Sequence, residues 1–345
     1  MNTSRRGFIA GITSAAALAT ARAAERRRDI VDVHAHFTPP QYARDLADSK
    51  LLFPASLGWS PARHLEEMER AGVARSLLSL TTPGISMGDV AQGRRMARYS
   101  NEYGAQLVAD HPRQLGLFAA LPLADVEGSL RELEYSLDTL KACGICLFTS
   151  YGGKWLGDEA FAPVFDELNR RKAIVYVHPT SAACCTNLVP NIPDPMIEYG
   201  TDTTRAITRL IYGGAARRYA DLRLIFSHAG GTMPFLVDRF DFADQTNPLA
   251  RQNAPEGYRS AAARFFYDIA QAANPVALGA LRQVIPATQI VFGTDYPFRT
   301  MQEHVTRLDA SRVFSADELS GIRRGNIARA LPQLLAPGAD TSQRS

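Results

Sequence analysis

Short apolar runs alternate with longer amphipathic stretches along most of this chain. Runs rich in Val, Ile, Leu and Phe fall at 30–36, 75–80, 115–123, 144–150, 173–178, 222–228, 264–269 and 289–295. Their almost unbroken apolar character predicts strands covered on both faces, as in a parallel sheet. Between them lie helical patterns with recognisable start and stop signals. Ser60-Pro61 precedes 62–70 and Gly72 ends it, Asp125 precedes 126–141, Asp158 precedes 159–171, and Asn274-Pro275 precedes 276–284. Strands alternating with helices imply βαβ units. Eight such units within one domain's length predict an α/β fold, a (β/α)8 TIM barrel over 24–336, with a polar, disordered tail at 337–345.

In such a barrel the segments after the strands share one face, so residues at strand C-termini meet in one pocket. The first strand ends Ile30-Val31-Asp32-Val33-His34-Ala35-His36-Phe37, and the two-residue spacing puts both imidazoles on one side. The fifth strand ends in His178, the sixth in His228 and the eighth in Asp295. Four strand ends carrying ligand-type side chains predict a metal site at that face. The other histidines lack this placement: His64 and His304 lie in helical patterns and His111 in a His-Pro turn, and all three are read as surface residues. The stretch 181–198 after the fifth strand is long and rich in Pro and Asn, which fits a lid over the pocket or a contact between subunits.

The start of the chain modifies the charge balance. Ser4-Arg5-Arg6-Gly7-Phe8-Ile9, a small-residue apolar run and Ala21-Arg22-Ala23 have the layout of a twin-arginine export signal over residues 1–23, which places the mature protein in the periplasm. The whole chain has 38 Lys+Arg against 35 Asp+Glu. The signal holds Arg5, Arg6 and Arg22 and no acid, so 38 − 3 leaves 35 against 35. Net charge near zero argues against a nucleic-acid or anionic-membrane surface. The four cysteines, Cys143, Cys146, Cys184 and Cys185, form no disulfide framework: Cys146 sits in an apolar run and adjacent cysteines are poorly placed to bridge each other.

His34-Ala35-His36, Val177-His178-Pro179, Ser227-His228-Ala229-Gly230-Gly231-Thr232-Met233-Pro234-Phe235 and Phe292-Gly293-Thr294-Asp295-Tyr296-Pro297 together resemble the amidohydrolase superfamily. More narrowly they are similar to its decarboxylase branch, which contains aminocarboxymuconate-semialdehyde, γ-resorcylate and 6-methylsalicylate decarboxylases. The fourth strand ends Phe148-Thr149-Ser150, so the lysine that bridges two metals in other branches has no counterpart, Lys154 lying beyond the strand. The resemblance therefore implies one metal, held by His34, His36, His178 and Asp295, with His228 unligated as an acid/base. Three imidazoles and a carboxylate suit Zn²⁺, with Mn²⁺ as the alternative. It also implies that Arg239 contacts the substrate carboxylate across a homodimer interface, although an ion pair to Asp238 or Asp241 fits the sequence equally. On the first helix the family's substrate-anchoring arginine corresponds to either Arg63 or His64.

These roles imply loss of CO₂ from a small hydroxyaryl or unsaturated carboxylic acid, with His228 and Asp295 managing the proton. The same ligands would serve a hydrolase of lactones or amides. A storage or structural zinc protein fits less well, because its coordination shell would be closed and would leave no spare His228. Aromatic residues near the strand ends, Phe37, Trp59, Tyr151, Trp155, Tyr296 and Phe298, are candidate walls for the substrate.

Overall fold

A computed structural model describes residues 29–46, 51–85 and 89–335; the export signal and the tail from 337 lie outside these residues. Eight parallel strands form the centre: β1 (Ile30–His36), β2 (Val73–Ser79), β3 (Leu115–Ala120), β4 (Gly144–Phe148), β5 (Ile174–His178), β6 (Arg223–Phe226), β7 (Phe266–Asp268) and β8 (Ile290–Val291). Each pairs with the next in sequence order. The sheet closes on itself, with Val33 N–H donating to the Phe292 carbonyl at 3.0 Å and His36 N–H to that of Tyr296 at 2.7 Å. This is the (β/α)8 barrel that the alternation predicts.

Alternate strand residues divide the apolar content into two layers. Cys146, Tyr176 and Ile225 fall in an inner cluster with Leu77, Phe118, Phe266 and Val291. Their chain neighbours Ile145, Leu147, Val175, Val177, Leu224 and Phe226 pack outward into the layer beneath the helices. Ile327, Leu331 and Leu334 join the inner cluster and stopper the barrel at the end away from the strand C-termini. Asn326 ties this segment down, donating to the Ala287 and Ile290 carbonyls at 2.8 and 2.7 Å. Only one end of the barrel is left for a site.

The cap signals operate as read. Ser60 accepts from Arg63 N–H at the start of Pro61–Ala71, and Gly72 ends that helix at φ 73. Asn274 accepts from Val276 and Ala277 N–H ahead of Pro275–Val284. Two helices differ in detail. After Asp125 the α-helix spans Val126–Glu134 and closes in a wider turn, Tyr135–Thr139. After Asp158 a tight turn, Glu159–Phe161, precedes Ala162–Arg170. Among the described residues no helix is long and apolar enough to cross a membrane.

Two histidines correct the surface reading. His64 and His304 are both 1% exposed. His64 accepts from the Trp59 indole at 3.2 Å and donates to Ser76 Oγ at 3.0 Å, and burial pushes its pKa down to about 3. It is a neutral structural peg. Arg63, the other candidate on that helix, is exposed and donates to the Gly58 carbonyl.

Candidate metal centre and active-site cavity

β1 delivers His34 and His36, β5 delivers His178, and the turns after β6 and β8 deliver His228 and Asp295. The last two are not strand residues, as their positions in the runs suggested. β6 ends at Phe226, and the chain turns sharply with His228 at φ 54, Ala229 at φ 56 and Gly231 at φ 66. A Cβ at Gly231 would lie 2.0 Å from the Gly200 carbonyl oxygen, so the turn needs glycine there. Asp295 sits at φ 61, its N–H donating to the His34 carbonyl at 2.8 Å.

These residues meet. One donor atom each from His34, His178, His228 and Asp295 lies within 4.8 Å of all the others. His36 stands against two of them, its Nε2 3.1 Å from His34 Nε2 and 3.0 Å from Asp295 Oδ1. Such a cluster can hold a divalent metal ion.

Three of the imidazoles are anchored through Nδ1, which leaves Nε2 facing inward. His34 Nδ1 bonds Asp268 Oδ2 at 2.9 Å, His36 Nδ1 lies 3.2 Å from Ser79 Oγ, and His178 Nδ1 donates to the Pro179 carbonyl at 2.8 Å. Orientation through the second ring nitrogen is the usual arrangement of a metal-ligating histidine. His228 differs: its Nδ1 is buried with no hydrogen-bond partner among the described residues, while its Nε2 lies 3.4 Å from Asp295 Oδ2. The donor set of anchored imidazole nitrogens and one carboxylate oxygen fits Zn²⁺ or Mn²⁺.

Buried carboxylates shape the electrostatics. Burial works to raise Asp295, but the charge of His34 and hydrogen bonds from His228, His34 and His36 outweigh it and hold the carboxyl well below its usual range. Burial pushes His36 and His178 down, so both are neutral with a lone pair available. At His34 burial is overcome by Asp268 and Asp295, which raise it. Asp268 was not singled out from the sequence, yet it bonds four groups: His34 Nδ1, the Tyr176 hydroxyl at 3.0 Å, His228 N–H at 3.0 Å and Ala270 N–H at 2.9 Å. It ends β7, so the strand-end rule applied to 266–268 finds it. Asp32 was missed likewise. It braces His34 N–H at 3.0 Å and Thr294 Oγ1 at 2.6 Å, and burial raises it to about 7.

Above the cluster opens a cavity of about 500 Å³. Phe53, Tyr199, Phe235 and Phe298 supply its aromatic walls, and Pro193, Pro195 and Met196 come from the long loop after β5. Of the six aromatic residues expected there only Phe298 is among the lining residues. Phe37 instead packs on Trp59 and Tyr103, the Tyr151 hydroxyl accepts from Phe148 N–H at 2.8 Å within the core, and Trp155 donates to Asp202 at 2.6 Å. Among the described residues that line the cavity none is Lys or Arg. Phe148, at the end of β4, stacks edge-on to His178, and Lys154 is exposed, so among the described residues no lysine enters the cluster. Arg239 is exposed on the helix Val237–Thr246, outside the cavity of its own chain.

A closed (β/α)8 barrel with histidines and an aspartate gathered at its strand ends defines a metal-site barrel enzyme class. Residues 31–333 match the Amidohydrolase family, and the chain belongs to it. It is 33% identical over 326 residues to decarboxylase macB of Penicillium terrestre, covering 88% of this chain and 95% of that one. It is 35% identical over 273 residues to 6-methylsalicylic acid decarboxylase of Penicillium expansum, covering 77% and 84%. The fold is shared with a dihydroxybenzoic acid decarboxylase from Polaromonas, solved with bound manganese and 2-nitroresorcinol, at TM-score 0.76 and 21% identity over 89% of this chain and 97% of that one. The resemblance drawn from the motifs is thus borne out at the level of family and of decarboxylase relatives.

Proposed function

We propose that this chain is a metal-dependent, non-oxidative decarboxylase of a small hydroxyaryl carboxylic acid. The observation that carries the reading is the contrast between three anchored imidazoles and the unanchored His228, which shares Asp295 with them at the floor of an aromatic cavity. The decarboxylase relatives support it. His34, His36, His178 and Asp295 would hold the ion, with Zn²⁺ favoured by the nitrogen-rich set and Mn²⁺ the alternative present in the Polaromonas relative. When bound, the ion supplies Lewis acidity toward the substrate's oxygens.

The chain's own residues manage position and proton. Phe53, Tyr199, Phe235 and Phe298 offer the ring apolar, aromatic walls. As the bond to the carboxyl group breaks, its electron pair stays on the ring carbon, CO₂ leaves, and a proton takes its place. His228 Nε2 and Asp295 Oδ2, 3.4 Å apart, form the route for that proton. A product assay tests the reading: CO₂ and a phenol from salicylate-type acids support it, whereas ring opening of lactones or amine release without CO₂ would assign a hydrolase.

The Asp238 and Asp241 carboxylates lie 3.8 and 2.7 Å from Arg259, and among the described residues no ion pair joins either of them to Arg239. Arg239 stands beside exposed Phe235 and Phe242, an apolar face suited to a second copy, so it reads the substrate carboxylate of a neighbouring subunit in a homodimer. Mixing inactive Arg239→Ala and His228→Ala proteins is expected to restore part of the activity through hybrids holding one intact site. Hybrids as inactive as their parents would reject the shared site. From Arg5-Arg6 and Ala21-Arg22-Ala23 the mature enzyme is periplasmic. An Arg5→Lys, Arg6→Lys variant is expected to accumulate uncleaved in the cytoplasm, and unchanged export would exclude the twin-arginine route.

A further inference from the structure

Three residues past the end of β7, Gln271 lines the cavity in the left-handed region at φ 56. Such a backbone is uncommon for glutamine and is held from two sides. Gln271 N–H donates to His304 Nε2 at 3.1 Å, and the Nδ1 of the same buried histidine donates to the Thr300 carbonyl at 3.2 Å. The side chain of this exposed residue has partners of its own. Its Oε1 accepts from Arg299 Nε at 2.5 Å, and Arg299 is itself held by Glu303 at 2.6 Å. A guanidinium only donates, so the amide oxygen must face Arg299 and the amide nitrogen must face Asp295, where Nε2 donates to Oδ2 at 2.9 Å.

This locks the two oxygens of Asp295 into different tasks. Oδ1 faces His34 and His36 at 3.2 and 3.0 Å, while Oδ2 faces His228 and Gln271. The amide nitrogen carries two hydrogens, and Asp295 takes one. The second is available to the cavity, where the described residues of this chain that form the lining include no Lys or Arg. We propose that Gln271 is a substrate-positioning residue: it donates one amide hydrogen to Asp295 and the other to a carboxylate oxygen of the bound acid, setting the carboxyl group beside the proton route. The inference rests on the decarboxylase reading for its substrate, but not for its geometry.

Two variants separate donation from mere packing. Gln271→Glu keeps the shape and the Arg299 contact, but the oxygen that replaces the amide nitrogen carries at most one hydrogen, so none is left for the substrate once Asp295 is served. Gln271→Met keeps the shape and removes both polar atoms. Metal-loaded wild type and variants are titrated calorimetrically with salicylate and with phenol, which lacks the carboxylate. Both variants are expected to keep their metal and melting temperature while salicylate binding weakens roughly tenfold, the scale of one lost hydrogen bond to a charged group. Phenol binding is expected to hold. Unchanged salicylate binding, or equal losses for both ligands, overturns the inference. Should the acid be discriminated as expected while no CO₂ is released from any acid, Gln271 stands as a carboxylate reader and the decarboxylase assignment fails.

Discussion

His178→Ala is expected to strip the protein of most of its metal and, with it, of its activity. The side chain is 1% exposed at the end of β5, and its ring packs edge-on against His34, His36 and Phe148. Its Nδ1–H is committed to the Pro179 carbonyl, so the neutral Nε2 points at the cluster with its lone pair available. Alanine removes that donor, and the two closest rings, His34 and His36, are held in place by their own Nδ1 anchors. Loss of partners one shell further out already costs a metal site about 10–100-fold in affinity, so removal of a direct donor should cost at least as much. Dialysis followed by elemental analysis measures it. A variant that retains its full metal content would remove His178 from the donor set.

How much of this was legible in the sequence depended on whether a feature is local. The eight strands are local apolar runs bounded by caps and glycines, and each was placed within a few residues. His34, His36 and His178 end those runs, so the barrel rule alone brings them together. The ends of β6 and β8 were read too long because left-handed turns at His228 and Asp295 leave no trace in hydrophobic pattern. Buried polar residues were the main loss. Asp268 looked like one more position inside a strand, although it joins His34, Tyr176 and the His228 backbone. His64 and His304 sat in helical patterns that read as surface, and only tertiary partners such as Trp59, Ser76 and the Gln271 backbone show why they are inside. The aromatic walls failed for a related reason. Phe53, Tyr199 and Phe235 reach the cavity from connecting segments whose paths a sequence does not specify.

For His228 the decisive experiment is replacement by asparagine. Alanine would remove the ring but also strain the backbone, since the residue sits at φ 54, a region that asparagine tolerates better than most residues. Asparagine also keeps the backbone N–H to Asp268 that shapes the turn. His228 Nδ1 has no hydrogen-bond partner among the described residues, in contrast to the anchored Nδ1 atoms of His34, His36 and His178. A ring held only through Nε2 near Asp295 Oδ2 is suited to taking and giving a proton rather than to fixing an ion. His228→Asn is therefore expected to retain its metal and melting temperature and to leave KM nearly unchanged, while kcat falls by roughly 10²–10⁴-fold, the range for a positioned acid or base. The geometry also supplies the opposing outcome, because a donor atom of His228 lies within 4.8 Å of those of His34, His178 and Asp295. If the asparagine variant loses its metal along with its activity, His228 is a ligand, and the proton route must then run through Asp295 alone.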